Sequence, residues 1–145
     1  MKRITGCTEA LAFAPFEELV TAINAGEERT IRTLVATRAE AEAEAVPVDR
    51  RFAFELPDAS DHEPLLVANV MDPVPALAGW AERGRRLELL VYTWDIDREI
   101  DDTAQVWAIF EGIYRDGSGV AWPMSGKVGV DCTNGRVNAL DLIVG

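Results

Sequence analysis

Apolar residues recur at a helical period in the first part of the chain and at a strand period in the last part. Phe16, Leu19, Val20 and Ile23 fall at i, i+3, i+4 and i+7, one stripe on a helix. Asn24-Ala25-Gly26 supplies its C-terminal stop. Glu27 and Glu28 open a second helical segment, with Ile31, Leu34 and Val35 as its buried face. From Arg38 to Ala45 Ala and Glu alternate; propensity favours a helix there, and the two-residue period an edge strand. Pro47 and Pro57 bracket a short strand, Arg51 to Leu56, with Phe52 and Phe54 on one side. Leu65 to Val70 reads as a strand or an extended lead-in. Asp72-Pro73 starts a third helix, because Asp caps open amides and Pro fits the first turn. Its apolar stripe is Val74, Leu77, Ala78 and Ala81, with Trp80 beside it, and Gly84 ends it.

Beyond Gly84 the pattern predicts four strands: Leu87 to Ile96, Val106 to Tyr114, Val120 to Cys132 and Val137 to Val144. Their short connections predict antiparallel neighbours. Asn134-Gly135 marks a tight turn between the last two. A two-residue turn there would pair Val128 with Asp141 and mix polar with apolar on both faces. A type I turn at Thr133-Asn134 with a bulge at Gly135 sorts the residues better. It puts Met124, Val128, Val130 and Cys132 on one face with Leu140, Leu142 and Val144, and sets Lys127 opposite Asp141.

A chain of 145 residues with 48% hydrophobic content suits one soluble domain spanning 1–145. The net charge of -11 argues against nucleic acid and against anionic membranes as partners. No apolar run spans a bilayer and no signal pattern opens the chain, so a cytoplasmic location is expected. Cys7 and Cys132 are then expected as thiols. No phosphate loop, dinucleotide fingerprint or metal-ligand spacing is present, so no cofactor and no metal are expected.

Helix, helix, short strand, helix and a long curved antiparallel sheet is the order of the NTF2-like (cystatin-like) α+β roll. Glu18-Leu19-Val20 with Ala22-Ile23-Asn24-Ala25-Gly26 resembles the first helix and turn of that fold. Gly126 to Cys132, followed by Asn134-Gly135-Arg136-Val137, resembles its last two strands. The resemblance implies an α+β fold with N-terminal helices packed on a curved, mainly antiparallel sheet. It also implies a cone-shaped cavity between the two and a homodimer through the outer sheet face. The superfamily includes ketosteroid isomerases, SnoaL-like polyketide cyclases, epoxide hydrolases, dehydratases and non-catalytic modules, so fold does not decide function. Phe16 stands near the place of the isomerase tyrosine, and Gly126 or Val128 near that of its oxyanion-hole aspartate; that pattern is not met.

Candidate chemistry rests on single residues. Glu111 lies mid-strand between Ile109 and Ile113 with Trp107 on its face. A carboxyl among apolar side chains loses hydration and suits general acid–base work; a plain outward glutamate paired across the sheet is the competing reading. Asp95, after Tyr92 and Trp94, is its candidate partner at a cavity rim. The acidic run from Asp95 to Asp102 lacks the glycine and terminal glutamate of a calcium loop. Tyr92, Trp94, Trp107, Tyr114, Trp122, Met124 and Leu140 are the candidate ligand-binding residues, as an aromatic-lined pocket for an apolar organic molecule. Core packing or a dimer interface would use the same aromatics. His62, the single histidine, sits in a polar loop with no nucleophile partner in view. Two functions follow: an acid–base enzyme of isomerase, cyclase or dehydratase type, or a non-catalytic dimeric binding or assembly module. The sequence leaves catalysis open between them.

Overall fold

The computed structural model describes residues 9–37, 52–58, 72–94, 105–131 and 134–145. Helix α1 covers Glu9–Ala25 and α2 covers Glu28–Leu34. Strand β1 is Phe52–Glu55, helix α3 is Val74–Gly79, and a 3-10 turn follows at Ala81–Arg83. Strands β2 (Arg86–Trp94), β3 (Gln105–Arg115), β4 (Ala121–Asp131) and β5 (Arg136–Val144) complete the chain. The α+β architecture is the one the sequence predicts. The undecided stretch from Arg38 to Ala45, the Leu65–Val70 lead-in and His62 lie outside the described residues, as do Cys7 and Cys132.

One sheet runs in the order β1-β5-β4-β3-β2. Its four long strands are antiparallel, and β1 joins the edge beside β5 in parallel, with Phe52 opposite Leu140 and Phe54 opposite Leu142. The parallel pairing brings both phenylalanines onto the helix-covered face, where they are buried.

The helices cover that inner face as their stripes require. Phe16, Leu19, Val20 and Ile23 of α1 join Ile31 and Leu34 of α2 and Val74 and Leu77 of α3 in one core. Burying side chains of this size contributes about 1.5–3 kcal/mol each. Asp72 starts α3 as expected, accepting a hydrogen bond from Val74 N–H at 3.1 Å. Helix α1 begins earlier than its stripe suggests and runs through Pro15. Proline removes a backbone donor; the burial of Phe13, edge-on to Phe16 at 5.5 Å, anchors this extra length.

Across β4 and β5 the predicted sorting holds. Lys127 faces Asp141, Val128 faces Leu140 and Met124 faces Val144. Gly135 has φ +69°, the left-handed conformation that the turn needs. The extra residue is taken up elsewhere than expected. Asp131 pairs with Arg136, and the register shifts between Gly129 and Val130, where Asn138 is the bulged residue. Burial of Val130 and Val137 on the inner side of the shift, together with Val128 and Leu140, fixes this solution.

A second bulge shapes β2. Leu89 pairs with Gly112 and Val91 with Glu111, so Leu90 is the extra residue. Strict alternation from Leu87 and Leu89 would put Tyr92 on the outer face. The bulge reverses the phase and sets Tyr92 opposite Phe110 on the inner face.

Candidate ligand site between the first helix and the edge strand

Helix α1 and edge strand β2 are held together at one end by a side chain that mimics a strand. Asn24 donates from Nδ2 to the Leu87 carbonyl and accepts from Leu87 N–H at Oδ1, both at 2.8 Å. At the other end the Phe13 and Tyr92 rings stack, with centroids 3.4 Å apart and planes 17° apart. Between these ties lies a hollow of about 270 Å³. Its α1 wall is Phe13, Glu17, Val20 and Thr21, and its β2 wall is Leu89, Leu90 and Tyr92. The bulge makes the second wall, because it turns Tyr92 inward and leaves Leu90 beside it at the open edge.

The residues singled out from the sequence are divided by the sheet. Tyr92 lines the hollow. Tyr114, Met124 and Leu140 belong to the packed core, and Tyr114 is 0% exposed. Together with Phe110 they pack on the helix-covered inner face of the sheet. Trp122 packs against this core, and Trp94 pairs through its backbone with Ala108. Glu111 and Trp107 stand on the opposite, outer face. Glu111 is exposed, between Val91 on β2 and Ser125 on β4. The apolar enclosure that motivates acid–base chemistry at Glu111 is therefore lacking, and the sheet separates it from Tyr92 and Tyr114. Trp107 is buried against Ala139, with Lys127 Nζ 5.4 Å from its ring centroid. Asp95 lies outside the described residues.

The structure adds a polar cluster that sequence reading did not single out. Tyr114 Oη donates to Asp58 Oδ1 at 2.5 Å, Gly117 N–H to Oδ2 at 3.0 Å and Arg85 Nε to Oδ2 at 3.2 Å. Arg85 Nη2 also donates to the Asp58 carbonyl at 3.1 Å. Burial pushes the Asp58 carboxyl up, but the hydrogen bonds from Tyr114, Gly117 and Arg85, with the charge of Arg85, together hold it below its ordinary value. A carboxylate with its oxygens so occupied is a tether between the segment after β1 and the β3–β4 turn, not a proton carrier. Its partners are 27, 56 and 59 positions away in sequence, which local patterns do not register.

Asp116 organises the neighbouring turn. It accepts from the Ser118 hydroxyl at 2.7 Å, Trp122 Nε1 at 3.0 Å, and the Val120 and Ser118 amides at 2.9 Å each. These bonds, the Ser118 hydroxyl first, lower its pKa to about 2. A carboxyl depressed in the folded state stabilises fully above its unfolded value and loses that contribution as pH falls through the folded one. A carbon-13 carboxyl titration is expected to place Asp116 near 2; a midpoint at the ordinary 3.8 would contradict the hydrogen-bonded turn.

Among the described residues, no group of three His, Cys, Asp or Glu side chains could hold a metal ion. Nor is any helix of those residues long and apolar enough to cross a membrane.

The fold is that of the cystatin-like α+β proteins, as the resemblance of the first helix and last strands implies. A cystatin-like protein of unknown function from Methylobium petroleophilum superposes with a TM-score of 0.62 at 11% identity, over 95% of this chain and 78% of that one. A candidate isomerase from Bacillus subtilis superposes with a TM-score of 0.51 at 13% identity, over 93% of this chain and 86% of that one. A candidate polyketide cyclase from Xanthomonas campestris gives 0.42 at 15% identity, over 93% and 90%. No family model matches the sequence. No curated protein matches it either.

Proposed function

We propose that this protein is a small-molecule-binding domain whose ligand enters between α1 and the β2 edge. The observation that carries this is the hollow bounded by Val20, Leu89 and the Phe13–Tyr92 stack. Apolar walls with a few polar groups are the usual make-up of organic-ligand sites. The shared fold of the Bacillus subtilis candidate isomerase supports a ligand-handling role by analogy. Binding without catalysis is the favoured form, because Glu111 and the inner tyrosines stand on opposite faces of the sheet. The test is a titration with 1-naphthalenemethanol followed by backbone amide spectra. Shifts are expected at Val20, Thr21, Leu89 and Tyr92, and they weaken in Leu90→Ala. Shifts confined to the outer face would overturn the reading.

A second element of the proposal is self-association through the outer face. Val91, Ile109 and Ile143 are 56%, 51% and 45% exposed there, an apolar field spread over three strands. Glu111 and Lys127 stand on the same face, so a two-fold contact can set each against the other's copy. Sedimentation velocity at micromolar protein is expected to show a dimer that Ile109→Glu dissociates. A wild-type monomer would contradict it.

A further inference from the structure

The hollow that carries the binding proposal also has a sign. Glu17 is the one charged side chain among the described residues that line it. A shallower depression of about 400 Å³ shares Glu17 and Thr21 with it and adds Glu18 and Glu27. No Lys or Arg among the described residues lines either space. The Thr21 hydroxyl donates to the Glu17 carbonyl at 3.1 Å, which leaves its oxygen as an acceptor at the shared margin. At the far end Tyr92, 39% exposed and stacked on the buried Phe13, brings an aromatic ring to the hollow, and aromatic rings attract cations. The chain as a whole carries -11, which raises the local concentration of cations and lowers that of anions.

We propose that the ligand is a small organic cation: an apolar body held between α1 and β2, with an ammonium group directed at the Glu17 carboxylate. This rests on the binding reading above and adds the chemical class to it. An organic acid or an enolate is disfavoured at the same place, because it would meet Glu17, Glu18 and Glu27 with no basic side chain to offset them.

The test uses the whole chain and three probes of one shape: 1-naphthylmethylamine, 1-naphthalenemethanol and 1-naphthoate. Dissociation constants are read from amide shifts at Val20 and Leu89 at low salt. The amine is expected to bind about 3–5-fold more tightly than the alcohol, the upper part of the range for an exposed carboxylate. The alcohol should in turn exceed the naphthoate. Glu17→Gln, a change at an exposed helical position, should bring amine and alcohol within about twofold by weakening the amine. Added salt should shrink the amine advantage in the wild type. Equal binding of all three, preference for the naphthoate, or an amine advantage that survives Glu17→Gln would overturn the cation assignment and leave the pocket standing. If no probe shifts Val20 or Leu89, the binding reading fails and the assignment falls with it.

Discussion

Gly112→Ala is expected to lower the stability of this domain by about 3 kcal/mol or more, the upper end of overpacking costs. A Cβ at this position would lie 2.0 Å from the Glu88 carbonyl oxygen and 2.8 Å from Met124 Cε. The methionine end can move. The carbonyl cannot, because it belongs to β2 just before the Leu90 bulge, where the strand is already fixed by Asn24 on one side and β3 on the other. Relief therefore requires β2 to shift from β3. At roughly 2–4 °C per kcal/mol for a domain near this size, the melting temperature should fall by roughly 6–12 °C. Gly79→Ala is the matched control. Nothing lies within 4 Å of its added Cβ, and the residue ends α3. There the exchange should be neutral or stabilise by about 0.4–1 kcal/mol through the unfolded chain. Equal urea midpoints for the two variants would show that the close approach at Gly112 does not constrain the sheet.

Asp58→Ala is the second large effect. It takes the carboxylate away from Arg85, which is 2% exposed, and from the Tyr114 hydroxyl. Breaking a buried ion pair from one side costs about 3–5 kcal/mol. The Asp58 side chain keeps 25% exposure, so the lower end, about 3 kcal/mol, is expected. Asp58→Asn separates charge from shape, since the amide oxygen can still accept from Tyr114. The acid limb follows from the direction of the shift. Asp58 sits below its unfolded value, so its contribution is complete above about pH 4 and is lost as pH falls through the depressed folded value. Urea midpoints measured from pH 7 to 2 should converge for wild type and Asp58→Asn at the acid end. Curves that stay parallel would rule out an ionised Asp58 as the stabilising species.

Much of the fold was legible because burial enforces period. The α1 stripe, the Asp72 start of α3 and the pairing of Lys127 with Asp141 all follow from keeping apolar residues on one side. The route to that pairing was not legible: the extra residue could sit at Gly135 or at Asn138, and only the packed partners of Val130 choose. The site was read less well. Alternation along β3 gives Glu111, Ile109 and Trp107 a shared face but not which face is covered, and the helices cover the other one. In β2 the run Leu89-Leu90-Val91 carries the phase change as three apolar residues in a row. That run was the available signal for the bulge that turns Tyr92 toward Phe13. Arg85 and Asp58 gave no signal, because their contact arises from loop packing rather than periodicity.

The parallel seat of β1 beside β5 sets a waiting time during synthesis. Phe52 and Phe54 leave the ribosome long before Leu140 and Leu142, the residues they line up with. At about 5–20 residues per second the interval is roughly 4–18 s. Throughout it, two aromatic side chains have no completed layer to enter, whereas the β2–β3–β4 meander can already zip from neighbour to neighbour. The nascent chain is thus exposed to mispairing at β1.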